Sequence, residues 1–112
     1  MTTPSDLERL CRTSPPCAGI AWFAGSPLVL IAATGEPAGA DGPSWHAIAQ
    51  AAGTLLRDGP IATPEVLLRL PTTLVLLAER PTGVVAVAVP VNGANTGVAL
   101  VQARMAASQV DT

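Results

Sequence analysis

The chain contains no lysine and no tyrosine, one histidine, one phenylalanine, two tryptophans and two cysteines among its 112 residues. Charged residues make up 12% of it, about half the usual share. Each shortage excludes something. The positive charges are six arginines placed singly, at Arg9, Arg12, Arg57, Arg69, Arg80 and Arg104. With no basic patch, neither a phosphate backbone nor an anionic membrane surface is an expected partner. Without lysine there is no phosphate-binding loop of the Walker type. Trp22, Phe23 and Trp45 are too few for a base-stacking platform and read as core. The longest apolar runs, such as "PLVLIAA" over residues 27–33, fall far short of a membrane span, and the opening "MTTPSDLERLCR" has no signal-peptide core. A cytoplasmic protein is expected. Cys11 and Cys17 form neither a CxxC motif nor a disulfide framework. They read as ordinary thiols, with an incidental bridge or a redox role as the alternative.

What remains is strongly apolar. Hydrophobic residues make up 49% of the chain, with 10 glycines and 11 prolines. At this length the chain is one domain, residues 1–112, able to bury roughly 65% of its unfolded surface without staples. Ser5 and Glu8 form a capping box for an opening helix, and Thr3 followed by Pro4 offers another start. Leu7, Leu10 and Cys11 give it an apolar stripe, and "TSPP" ends it. Residues 18–24 and 28–34 read as strands around a "GSP" turn. The second is apolar on both alternating sets, so it is expected to be covered on both faces.

After the loop "GEPAGADGP" comes the clearest helix, over residues 44–59, with Asp41 or Ser44 as cap. Trp45, Ile48, Ala49, Ala52, Leu55 and Leu56 fall within an arc of about 120°. Three strands follow. The first, over 64–71, puts Val66, Leu68 and Leu70 on one face. The next two, over 72–80 and 83–91, flank the hairpin turn "RPTG". In the last, Val85, Val87, Val89 and Val91 share one face, and Val84, Ala86, Ala88 and Pro90 the other. A final helix runs from about 96 to 110. The order is α-β-β-α-β-β-β-α: an α+β fold, a five-stranded antiparallel sheet with helices on both faces.

No constellation of reactive groups emerges. His46 lies alone on the polar side of its helix, whereas a metal site needs three or four ligands. Asp41, Ser44 and His46 are triad residue types, but a helix points Ser44 and His46 about 200° apart. Glu36, Asp41, Asp58, Glu65 and Glu79 fall in turns or at strand ends and read as solvating charges. No catalytic, cofactor-binding or metal-ligating residue is expected.

The pattern resembles the Roadblock/LC7 (dynein light chain) family, a profilin-like architecture. The resemblance is carried by "GIAWFAGSPLVLIAATGEP" as first hairpin, by the amphipathic helix over 45–57, and by "LVLLAERPTGVVAVAVPVNGANTGVALVQARM". In the last of these a hydrophobic strand, a short polar turn and "GVALVQARM" open the closing helix. The "GSP" turn stands where the family usually has a charged or Asp-Gly-like one. The resemblance implies a homodimer meeting across a twofold axis and no catalysis by the domain. It also implies an adaptor or regulator, in bacteria often beside small Ras-like GTPases, in eukaryotes in motor complexes or signalling scaffolds. An Ala-rich, lysine-free composition suggests a bacterial source.

The residues themselves add a surface. Ala47, Ala51 and Thr54 form a small-residue flank on the central helix, bordered by Leu55, suited to close approach of a second copy. The strand carrying Val66, Leu68 and Leu70 is the expected edge that pairs with its own copy. A small-ligand sensor of PAS/GAF-like or profilin-like type is the alternative, with room left by Ala86 and Ala88. Should the chain act on GTP hydrolysis, Arg57, Arg69, Arg80 and Arg104 are the candidate fingers. In the closing helix, Val98, Val101 and Met105 make one apolar arc. Ala99, Leu100, Ala103, Ala106, Ala107 and Val110 make a second. One arc covers the sheet, and the small-residue arc is expected to meet the opening helix.

Overall fold

A computed structural model of the chain describes residues 4–13, 17–37, 44–57, 65–91 and 96–110. Its elements are α1 (Pro4–Thr13), β1 (Gly19–Ala24), β2 (Val29–Gly35), α2 (Trp45–Ala52), β3 (Glu65–Arg69), β4 (Thr73–Arg80), β5 (Gly83–Pro90) and α3 (Thr96–Ser108). The strands form one sheet in the order β2-β1-β5-β4-β3, every neighbouring pair antiparallel. Pro4 takes the first helical position of α1, where its missing N–H costs nothing. The caps proposed at Thr3 and Asp41 lie outside the described residues.

The two faces of the sheet differ in bulk, and so do their helices. On one face Ile20, Trp22, Leu74, Leu76, Val85, Val87 and Val89 meet α1 and α3. The helices answer with Leu7 and with Ala99, Ala103, Ala106 and Ala107. On the other face Ala21, Val84, Ala86 and Ala88 leave room, and α2 fills it with Trp45, Ile48, Ala49 and Ala52. Large on small is how facing layers interlock at crystal-like density. Fully burying one Val, Leu or Phe side chain is worth ~1.5–3 kcal/mol, so both faces contribute heavily.

The chain crosses from one sheet edge to the other by way of α2. At its start the Ser44 hydroxyl accepts from the Ala47 backbone N–H at 3.2 Å, capping the helix. The Trp45 indole N–H donates to the Gly35 carbonyl at the end of β2, at 3.1 Å. Trp45 also meets Phe23 edge-on, ring centroids 6.4 Å apart. At its far end α2 widens into a π-helical turn, Gly53–Arg57, which packs against β3.

Three expectations are corrected. The helix over 44–59 does not stay α-helical. In a π-turn each residue advances by less than in an α-helix, so Leu55 falls back from the sheet-facing arc. It is 41% exposed while Leu56 stays buried. Second, β2 is not covered on both faces. It is an edge strand, its register slips opposite Trp22 and Phe23, and Val29 and Ile31 are exposed. Third, α3 sits the other way round. Its small-residue arc lies on the sheet beside Leu7, whereas Val98, Val101 and Met105 are 56%, 55% and 61% exposed. The valines of β5 and the leucines Leu74 and Leu76 of β4 already fill the space beneath α3, and only alanines fit above them.

Candidate functional site

The surface expected from the sequence is built by α2, its π-turn and β3. Ala47 of α2 and Thr54 and Leu55 of the π-turn are exposed, and Ala51 of α2 is half-buried. The π-turn that rotates Leu55 off the sheet brings it towards the row of Ala47 and Ala51. The flank is therefore small residues with one leucine at its end. Val66 and Leu68 of β3, and Leu70 just after it, are half-buried against the α2 side of the sheet. The next residue, Leu67, faces the opposite side and is exposed.

β3 is the last strand of the sheet, paired among the described residues only with β4. Strand pairing uses one side of its backbone, so alternate N–H and C=O groups face outward. Of the seven expected residues, Thr54 and Leu55 come to this rim with the π-turn, which packs against β3 and its Val66, Leu68 and Leu70, whereas Ala47 and Ala51 stand further back on α2, whose strand contacts are chiefly with β2. The structure shows the rim in a single copy of the chain.

The arginines are spread over other contacts. Arg104 on α3 binds Glu65 at the start of β3 through Nε at 3.0 Å and Nη2 at 2.6 Å. That hydrogen bond and charge push the Arg104 guanidinium still higher than usual. Arg80 donates through Nη2 to the Ala107 carbonyl at 3.0 Å, satisfying an end carbonyl of α3. Arg69 donates to the Leu70 carbonyl. His46 is exposed on α2 and Glu36 follows β2 on the surface. Among the described residues no group of three or more His, Cys, Asp or Glu converges on a metal-sized site.

The room expected over Ala86 and Ala88 is filled, since both are fully buried under α2. A cavity of about 220 Å³ lies instead at the other end of α2. It is lined by Ser26, Pro27 and Leu28 of the first hairpin and by Ala49, Gln50, Gly53 and Thr54. Sequence reasoning missed this groove and the exposed arc of α3. The α3 arc had a signal: four alanines on one helical arc match the bulky valines of β5.

Comparison with solved structures defines the class. The chain superposes on a Roadblock/LC7 domain from Streptomyces avermitilis with a TM-score of 0.65 at 17% identity, over 98% of this chain and 95% of that one. It superposes on Myxococcus xanthus MglB with a TM-score of 0.63 at 12% identity, over 94% and 88%. No family model and no curated protein matches the sequence. The fold of the chain is thus that of a Roadblock/LC7 domain, as the resemblance in its sequence implies.

Proposed function

We propose that the chain is a non-enzymatic interaction and regulatory module that works as a cytoplasmic homodimer. The two copies join through Ala47 and Ala51 of α2, Thr54 and Leu55 of its π-turn, and Val66, Leu68 and Leu70 along and just past β3. One observation carries this reading: β3 is an apolar edge strand with an open backbone side, and the π-turn that carries the exposed Leu55 packs against it. An uncovered apolar edge is an aggregation hazard unless something pairs with it. A second copy satisfies it with the same residues, because a twofold contact is self-complementary. The partner of the dimer is a small Ras-like GTPase or a signalling complex, as the Roadblock/LC7 resemblance implies. Nucleic acid and membrane are not partners in this reading, and no described helix is long and apolar enough to cross a membrane.

Light scattering on a sizing column tests the dimer. Twice the chain mass at tens of micromolar supports it, and a clean monomer overturns it. Ala51→Arg enters a twofold contact twice, so it is expected to weaken association by tenfold or more, about 1.4 kcal/mol per decade. A dimer unchanged by it removes α2 from the interface. Pull-down with candidate GTPases tests the partner.

A second reading, a PAS/GAF-like or profilin-like small-ligand sensor, rests on the groove between the first hairpin and α2. A metabolite screen by thermal shift checks it, since a bound ligand raises apparent stability.

A further inference from the structure

Cys11 ends the apolar stripe of α1, and Cys17 stands two residues before β1. Six positions apart in sequence, their Sγ atoms lie 3.0 Å from each other. Cys11 Sγ also lies 3.4 Å from the Cys17 carbonyl, and Cys17 Sγ lies 3.6 Å from the Gly19 carbonyl. Both side chains are half-buried, so a small reagent reaches them. A disulfide holds its sulfurs ~2.05 Å apart, so closure asks for an approach of only about 1 Å.

We propose that Cys11 and Cys17 form a reversible dithiol–disulfide site, closed by a low-molecular-weight disulfide, that latches α1 onto the sheet. The exchange balances in two steps. The Cys11 thiol loses its proton and attacks one sulfur of the small disulfide RSSR. A mixed disulfide forms, the S–S bond of RSSR breaks, and the departing RS⁻ takes up the proton. Cys17 then loses its proton and attacks Cys11 Sγ. The protein disulfide forms, and the second RS⁻ leaves and is protonated. The dithiol is oxidised by two electrons, and RSSR is reduced to two RSH. Burial first, and then hydrogen bonding and charge from Cys11, push the Cys17 thiol above its ordinary range, and the mixed disulfide relieves the part that comes from Cys11.

The consequence lies in α1. Among the described residues this helix touches only β1 and β2 strongly and places one fully buried side chain, Leu7, in the core. A ten-residue helix so lightly held opens locally more readily than the sheet. Beneath it lie Ile20, Trp22 and Ala32. The disulfide ties the far end of α1 to the approach of β1 and keeps that apolar surface covered. Reduction frees the helix to lift. The site is on the face opposite α2, so it stands or falls independently of the proposed dimer.

The full-length chain is equilibrated in glutathione buffers from fully reducing to fully oxidising, then assayed by thiol counting, intact mass and hydrogen exchange. The expected result is a loss of both thiols and of two hydrogen atoms, with one peptide pair linking Cys11 to Cys17. Exchange across α1 slows by about tenfold or more, while β4 and β5 are unchanged. Cys11→Ser and Cys17→Ser each abolish the response. Because a serine at position 17 puts a hydroxyl under α1, the wild-type titration is decisive by itself. Two thiols surviving the most oxidising buffer overturn the site, as do a persistent glutathione adduct and a bridge between chains. A disulfide that forms without slowing α1 overturns the latch.

Discussion

Gly83 opens β5 with the backbone of β1 pressed against it. A Cβ at this position would run into the Phe23 carbonyl oxygen and come within 2.6 Å of the Trp22 ring. The carbonyl belongs to a paired strand and the indole to the core, so neither yields freely. Gly83→Ala is therefore expected to destabilise the fold by ~1–3 kcal/mol, read from urea unfolding. Gly97, in the first turn of α3, has nothing within 4 Å of an added Cβ. There the same substitution is expected to be neutral or to stabilise by up to ~1 kcal/mol. Two glycines that look alike in sequence thus part company, because the close approach at Gly83 comes from a strand sixty positions away.

Cys17 gives a prediction in pH. Its thiol is pushed up in the fold, whereas in the unfolded chain it ionises near its ordinary value of about 8.5. Below that value both states hold the proton and the stability is unaffected. Above it the unfolded state releases a proton that the folded state keeps, so stability falls as pH rises. Under reducing conditions unfolding free energy should decline through pH 9–10 with a slope below the one-proton limit of ~1.4 kcal/mol per unit, since water reaches the thiol. Closing the disulfide, or Cys17→Ser, should flatten this slope. A slope that survives both changes assigns it to another group.

At the scale of elements, α3 decides most. Its alanines lie on the valines of β5 and the leucines of β4, and Val98, Val101 and Met105 point to solvent. Ala103→Leu is expected to overpack that layer and cost ~1–3 kcal/mol, whereas Val101→Ser should stay within ~0.5 kcal/mol in the isolated chain. Thermal melts of the two variants test the orientation directly. The order and type of the elements were legible in the sequence, because the apolar period switches between 2 and 3.6 along the chain. The facing of α3 was harder to read. Both of its arcs are apolar, and period alone does not choose between two apolar arcs. The π-turn left no local mark either, since it is a change in hydrogen-bond spacing. The exposure of Val29 and Ile31 depends on strand order, which is set by the pairing of β1 with β5, more than sixty residues apart.

For the whole molecule, the expected rim was partly legible. The small row of Ala47 and Ala51 follows from helix geometry, and β3 stands at the sheet edge where its sequence position suggested. The arrival of Leu55 on that row was not legible, because it needs the π-turn. The groove beside Ser26 and Gly53 was invisible for a similar reason. It is made by a hairpin turn and a helix that meet only once the sheet is assembled.

The slipped register of β2 has a bearing on numbers. The sheet ends in two edges, and only β3 presents a regular ladder. On β2 the bulge opposite Trp22 and Phe23 breaks the hydrogen-bond spacing and adds twist, so a straight strand finds no matching register there. Two usable edges would let chains add end to end without limit. In the proposed dimer, pairing through β3 would consume the one regular edge among the described residues of each copy, and assembly would end at ten strands. In that reading the bulge at the far side of the molecule would set the stoichiometry.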